Sequence, residues 1–361
     1  MSHPSPSSSL ARPARRPLRL GILGCAKIAR QFARDVAGSP WARIDAVASR
    51  SLATAEAFAR DLGVQRHHAS YEALLADAAV DAIYLPLPNS LHAEWAMRAA
   101  AAGKHILCEK PLALNLAEAR AMFAAAERHG VVLLEAYPYY FQPQTRNLLA
   151  CLHGGAIGEV RSVQASFGFT LPPAPDNIRL QPELGGGALL DAGSYPLSLI
   201  RLVMGEAPVR VLADATWTPG GVDLSTTGTL YYADGRRAQL SCAMDAANHR
   251  RATIVGTAGT LETEYLNHTA MAVGDNPWGY LPSQLRLRRG TANSRPFEEI
   301  ASATGSGFRF AAEAFARVVA AGDRGAIARA AQASLDIAAT LEALARSART
   351  GRIEAVEPTM S

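Results

Sequence analysis

From Leu18 onward the sequence alternates short apolar runs with amphipathic stretches, and this alternation constrains the fold more than any other feature. Residues 20–23, 44–48, 82–85, 105–108 and 131–134 read as strands. Residues 28–36, 52–60, 71–75, 92–102 and 116–128 carry helical periodicity between them. Strands and helices in turn at this spacing predict a parallel, doubly wound α/β sheet. Such sheets bind ligands beyond the carboxyl ends of their strands, so the residues that follow each strand are the candidates for chemistry.

The first strand runs into Gly24-Cys25-Ala26-Lys27-Ile28-Ala29. Gly24 keeps one glycine of a GxGxxG dinucleotide turn, and Ala26 and Ala29 stand where the other two would be. Small residues permit a tight turn, and the N-terminus of the helix that follows faces a bound pyrophosphate. Gly24, Ala26, Lys27 and Ile28 are therefore candidate cofactor contacts. Sites for NAD usually carry an acid at the end of the second strand; this chain offers Ser49-Arg50-Ser51 and no carboxylate. A guanidinium pairs bidentately with phosphate, so Ser49 and Arg50 favour NADP, with NAD as the alternative.

After the third strand comes Pro86-Leu87-Pro88-Asn89-Ser90-Leu91-His92. Pro86 and Leu87 are expected to line the cofactor. Asn89 is expected to cap the next helix with its amide toward the cofactor, and His92 to touch the nicotinamide ribose or serve as an ordinary first-turn residue. The fourth strand ends in Cys108-Glu109-Lys110-Pro111, which delivers Glu109 and Lys110 to the ligand-binding edge. Pro111 keeps Lys110 out of helical geometry and permits a cis bond.

Beyond Tyr137 the period changes. Residues 160–169, 209–217, 225–232, 237–244, 252–255 and 260–265 alternate like strands joined by turns, which predicts a mostly antiparallel sheet. Two Ala-rich helices, 308–320 and 326–347, close the chain, and 267–283 reads as a loop rich in Gly, Pro and Asn. Residues 1–17 read as a disordered Ser/Pro/Arg tail. Arg12, Arg15 and Arg16 in that tail account for most of the net charge of +4, so no nucleic-acid footprint is expected. No run approaches the roughly 18 to 20 apolar residues of a membrane span. The four cysteines are far apart, which argues against a metal site and for a reducing cytoplasm.

The motifs at Gly21–Ala26, 86–92, 102–105 and 108–111, followed by Asp176-Asn177-Ile178-Arg179, Gly185-Gly186-Gly187-Ala188-Leu189-Leu190-Asp191-Ala192-Gly193-Ser194-Tyr195 and Gly256-Thr257-Ala258-Gly259-Thr260, resemble in this order the Gfo/Idh/MocA family of NAD(P)-dependent oxidoreductases. The resemblance implies a Rossmann domain at 18–137 and a substrate and oligomerisation domain at 138–361 with an open, mostly antiparallel sheet. It implies that Lys110 and Tyr195 are the reaction pair. Many members carry histidine at the second position; sugar-oxidising and dihydrodiol-oxidising branches carry tyrosine.

A helix over 188–204 would place Asp191 and Tyr195, four apart, on one face, with Pro196 making its start uncertain. Tyr195 is expected to take the hydroxyl proton as hydride passes to the nicotinamide, with Lys110 polarising the oxygen and Asp191 orienting substrate or lysine. Tyr137, Tyr139 and Arg179 are candidate substrate contacts. One departure stands out: Tyr139-Tyr140-Phe141-Gln142-Pro143 occupies the place of an aromatic-Arg-Phe-His-Pro segment common in the family.

The expected activity is NADP-dependent hydride transfer on a sugar, polyol or vicinal diol. An NDP-ketosugar reductase and a catalytically silent NADP-binding regulator are the alternatives. The expected partners are a carbohydrate-like substrate and further copies of the chain, as a dimer or tetramer formed through the second sheet.

Overall fold

A computed structural model describes residues 16–172, 174, 176–271 and 279–359. Most of the expected tail, Pro173 and the centre of the expected 267–283 loop lie outside the described residues.

The first sheet is built from β1 (Leu18–Leu23), β2 (Ala42–Ala48), β3 (Arg66–His68), β4 (Ala82–Leu85), β5 (His105–Glu109) and β6 (Leu133–Ala136). Helices α1 (Lys27–Val36), α2 (Leu52–Leu62), α3 (Tyr71–Leu75), α4 (His92–Ala101) and α5 (Leu116–Arg128) connect them. The spatial order is β3-β2-β1-β4-β5-β6, and all pairings are parallel. The chain reverses direction across the sheet between β1 and β4, the place where doubly wound folds take their ligand. β3 escapes a hydrophobicity reading because it is Arg-His-His. β6 starts two residues later than expected because the Val131 N–H still closes the end of α5.

The second sheet follows α6 (Pro143–His153) and contains β7 (Val160–Thr170), β8 (Arg210–Trp217), β9 (Asp223–Tyr231), β10 (Arg237–Ala243), β11 (Asp245–Gly256) and β12 (Gly259–Glu264), with α7 (Ser194–Met204) between β7 and β8. Part of the expected loop is strand: β13 (His268–Ala270) and β14 (Leu281–Pro282) join β17 (Gly305–Ser306) in a small third sheet. β15 (Gln284–Arg289), β16 (Glu298–Glu299) and β18 (Glu354–Ala355) extend the large sheet to the order β16-β15-β12-β11-β7-β10-β9-β8-β18. Its neighbours are antiparallel except β7 and β10. β15 hid behind its arginines, yet Leu285 and Leu287 alternate inward as a half-buried strand requires.

Helices α7 and α9 (Arg324–Thr350) cover one face of this sheet. The other face is a shallow concavity lined by Gln164, Ser166, Asp214, Thr227, Gln239 and Arg251. Between them in sequence, α8 (Gly307–Ala321) returns to the first sheet. Its Phe308 and Phe315 join Leu20, Ile22, Phe32 and Tyr84 in one core cluster, where Phe32 and Tyr84 stack with centroids 3.7 Å apart.

Candidate active site

The β1–α1 turn is shaped by backbone requirements. Gly24 has φ +103°, a region side chains disfavour, and a Cβ there would lie 2.9 Å from the Leu87 side chain. The turn thus packs against the 86–88 loop at the sheet's reversal point. No side chain caps α1, so its first N–H groups are open, and Ala26, Lys27 and Ile28 are exposed beside them. Ser51 caps α2 by accepting from the Thr54 N–H, and Ser49 Oγ accepts from the Ser51 N–H. Arg50 is left exposed next to the Tyr71 hydroxyl, which itself borders Gly24. Gly24, Ala26, Lys27, Ile28, Ser49, Arg50, Pro86 and Leu87 therefore gather along one edge.

Lys110 follows β5, and its bond to Pro111 is cis. Lys110 Nζ donates to the Asp191 carboxylate and to the Asp191 backbone carbonyl, both at 2.9 Å. Asp191 lies in a π-helical turn, Leu189–Gly193, that leads into α7, so the expected uniform helix is instead a wide turn followed by a regular one. Pro196 lies inside the continuous helical stretch formed by this turn and α7, where it has no N–H to give, and the Asp191 carbonyl five residues before it is taken by Lys110 Nζ instead.

Asp191 is also gripped by Arg179, whose Nε donates to Oδ2 at 2.5 Å. Burial favours the neutral acid, but the charges of Lys110 and Arg179 prevail and hold the carboxyl down at about 2. Burial likewise opposes the charge on Lys110, and the Asp191 carboxylate outweighs it, leaving the ammonium pKa raised.

Tyr195 is 5% exposed, and its ring lies under the Lys110 ammonium, 4.8 Å from Nζ to centroid. The edges of Phe167 and Tyr137 enclose the ring at 5.3 and 5.6 Å. Its hydroxyl oxygen accepts from Asn267 Nδ2 at 3.1 Å. Lys110, Asp191, Tyr195 and Arg179 thus meet in one cleft between the two large sheets.

Five expected contacts are placed elsewhere. His92 is fully buried, with Nδ1 2.9 Å from the Pro111 carbonyl and Nε2 2.9 Å from the Leu87 carbonyl. It braces the Lys110-Pro111 turn against the 86–88 loop and cannot reach a ribose; burial lowers its pKa and keeps it neutral. Glu109 points into the sheet, where it accepts from the Tyr84 hydroxyl at 2.6 Å and where burial pushes its carboxyl up. Asn89 caps nothing; its amide donates to the Gly185 carbonyl at 2.8 Å and so ties the 86–92 loop to the glycine turn before Asp191.

Tyr137 and Tyr139 are core residues, 1% and 0% exposed, the latter bonded through its hydroxyl to Ser198 Oγ at 2.7 Å. They back Tyr195 and are closed to substrate. Gln142, where a histidine is common in the family, is buried too and donates to the Asn267 carbonyl at 2.6 Å, which fixes the residue that holds Tyr195.

Sequence reasoning missed Asn267 and Arg250. The Arg250 guanidinium lies 4.4 Å from the Tyr195 centroid and 3.9 Å from that of Phe167. A signal existed: along β11, Arg250 shares parity with Ala252 and Ile254, both buried, so period-two alternation turns its side chain inward. No group of three or more His, Cys, Asp or Glu among the described residues is arranged to hold a metal.

Residues 18–137 match the oxidoreductase family described as an NAD-binding Rossmann fold, and residues 145–262 match the GFO/IDH/MocA C-terminal domain. D-xylose 1-dehydrogenase (NADP(+)) 2 of Haloferax volcanii is 37% identical over 336 residues, covering 92% of this chain and 98% of the relative. Trans-1,2-dihydrobenzene-1,2-diol dehydrogenase of Danio rerio is 36% identical over 248 residues, 68% of this chain and 74% of that one. Among solved structures, a 3-ketoreductase from Actinomadura kijaniata in complex with NADP and TDP-benzene superposes with a TM-score of 0.79 at 31% identity, over 92% of this chain and 98% of that chain.

Proposed function

The chain belongs to the Gfo/Idh/MocA oxidoreductase family and is an NADP-dependent enzyme that moves hydride to or from a sugar or diol carbon; we propose that Tyr195 and Lys110 carry the proton side of that reaction. The observation that supports this most directly is the stacking of the Lys110 ammonium over the Tyr195 ring while Asp191 fixes the ammonium from behind.

The residues along the β1–β4 edge fit a dinucleotide. The open N–H groups of α1, with Gly24, Ala26, Lys27 and Ile28, would hold the pyrophosphate. Ser49 and Arg50 would take the ribose 2′-phosphate, since no acid there repels it. When bound, the nicotinamide supplies the hydride acceptor or donor.

In the oxidative direction the substrate hydroxyl proton passes to Tyr195 Oη. The transfer requires that oxygen as phenolate, and the Asn267 N–H, already aimed at it, stabilises the negative charge that the incoming proton neutralises. Lys110 remains protonated and polarises the reacting oxygen. Asp191 does not take the proton: its carboxyl, held at about 2, is too weak a base near neutrality. Reduction runs these transfers in reverse, so the same pair would serve a ketosugar. Arg179, side chain 39% exposed beside Asp191, is the one surviving candidate for a direct contact at the substrate's outer edge.

The open concavity on the second sheet is the proposed contact between copies, in a dimer or tetramer; Leu212 at 37% exposure would be covered there. No helix among the described residues is long and apolar enough to cross a membrane. Four unpaired cysteines suit the reducing cytoplasm, where we place the protein.

The test is a nicotinamide absorbance assay with NADP or NAD against aldoses, vicinal diols and a dTDP-ketosugar. Oxidation of a sugar or diol with NADP preferred supports the reading. NADPH binding without turnover in either direction would replace it with a silent regulator.

A further inference from the structure

Arg250 is a half-buried cation with no anion bonded to it among the described residues. Its guanidinium carbon lies 3.9 Å from the Phe167 ring centroid and 4.4 Å from that of Tyr195, and its Nη1 is sealed from solvent without a hydrogen-bond partner. The next residue, Arg251, is paired with Glu264 at 2.9 Å. Lys110, the other cation against the Tyr195 ring, is matched by the Asp191 carboxylate at 2.9 Å. A charge taken out of water is normally answered by an opposite one, so the unanswered charge is Arg250.

We infer that Arg250 is the counter-cation of a Tyr195 phenolate: a positioning residue that acts through the tyrosine and holds it in the form able to accept the substrate's proton. A cation beside a neutral phenol ring gains only the attraction of the ring quadrupole. Beside a phenolate, whose charge spreads into the ring, the same cation forms an ion pair, so it favours the anion over the neutral form. In the oxidative step the substrate O–H bond breaks and its proton becomes the Tyr195 hydroxyl hydrogen; Arg250 gives and takes no proton.

The other groups around these two residues do not supply the anion. Tyr139 and Tyr265 feel the Arg250 charge, but burial pushes both hydroxyls up and keeps them neutral. Burial lowers His268, also near Arg250, to about 4. Around Tyr195 itself, burial pushes Tyr84 and Tyr137 up in the same way, and Glu109, bonded to Tyr84, is pushed up as well. Asp191 is ionised but is held by Lys110 and Arg179. The inference rests on the reading of Tyr195 given above.

The experiment follows kcat/KM for D-xylose oxidation at saturating NADP against pH and, separately, the near-ultraviolet tyrosinate absorbance of the full-length protein with NADP bound. The chain has ten tyrosines, so the signal is the difference between each protein and its Tyr195→Phe counterpart. In Arg250→Met both midpoints should move up by at least about one pH unit, which reads as a roughly tenfold loss of kcat/KM below the midpoint that is recovered at higher pH. Arg250→Lys keeps the charge and should titrate near the wild type. Arg250→Gln carries the test if the Met variant melts early.

Loss of kcat/KM by one factor at every pH, with the tyrosinate midpoint unmoved, would mark Arg250 as a packing residue and overturn the inference. An Arg250→Lys protein that titrates like the Met variant overturns it too, because charge would then not be the agent. Absence of turnover in the wild type would count against the hydride-transfer reading alone. The tyrosinate midpoints then decide the role of Arg250 by the same criteria.

Discussion

Lys110 and Asp191 are joined twice, since one ammonium donates to both the carboxylate and the backbone carbonyl of the same residue at 2.9 Å. A side chain held at two points on one turn cannot swing away without breaking both bonds. The position of the cation over Tyr195 is therefore set by the turn before α7 rather than by the lysine's own rotamers.

Lys110→Met should abolish turnover, by about 10³-fold or more, while leaving NADPH affinity within a few-fold of wild type. Fluorescence titration beside the absorbance assay checks both halves. An active Lys110→Met protein would remove Lys110 from the mechanism.

Tyr195→Phe keeps the ring and its contacts with Phe167 and Tyr137 but removes the oxygen that receives the proton. We expect kcat to fall about 10²- to 10⁴-fold. The melting temperature should drop only slightly, because the loss is one neutral hydrogen bond from Asn267, worth about 1 kcal/mol. A small drop in kcat beside a large drop in stability would mark Tyr195 as a packing residue.

Arg50→Ala should raise the dissociation constant for NADPH about tenfold to a hundredfold and leave NADH nearly unchanged, as loss of a charged hydrogen bond to a phosphate requires. Equal losses for both nucleotides would mean that Arg50 does not read the 2′-phosphate.

Two buried acids give pH dependences of opposite sign. Asp191 has a folded-state pKa depressed to about 2, so its contribution is present above the ordinary value near 4 and is lost as pH falls from about 4 to about 2. The size is roughly 2 kcal/mol. Denaturant midpoints should show this acid limb in the wild type and a weaker one in Asp191→Asn.

Glu135 on β6 accepts from the Leu112 N–H at 2.9 Å, just beyond the Lys110-Pro111 turn, and burial pushes its carboxyl up to about 7. The folded state therefore binds this proton more tightly than the unfolded one, and stability falls as pH rises from about 4.5 to about 7. The expected loss is roughly 3 kcal/mol, and Glu135→Gln should be flat over that window.

Much of this was legible in the sequence because strands of Ile, Leu and Val bounded by glycine turns report their period directly. β4, α3 and α5 fall where the periodicity puts them, and Lys110, Asp191 and Tyr195 sit at the ends of such elements. What stayed hidden depends on contacts far apart in the chain. Nothing local to His92 says that two carbonyls, at positions 87 and 111, will enclose it. Asn89 has the look of a cap because caps are local, but its partner is Gly185. Tyr137 and Tyr139 read as a binding surface since aromatics serve surfaces and cores alike; only the packing of α7 over them decides. Arg250 lay in a charged triplet, where parity with Ala252 and Ile254 was the sole clue.

The return of α8 to the first sheet has a consequence for anyone dividing this protein. Phe308 and Phe315 fill the hollow beside Phe32 and Tyr84, so a fragment cut after residue 137 would present that hollow to water and to its neighbours. The nucleotide-binding half is not a detachable cartridge. A chimera that borrows its second half from a relative must bring a helix shaped to this hollow, or aggregate before it can be assayed.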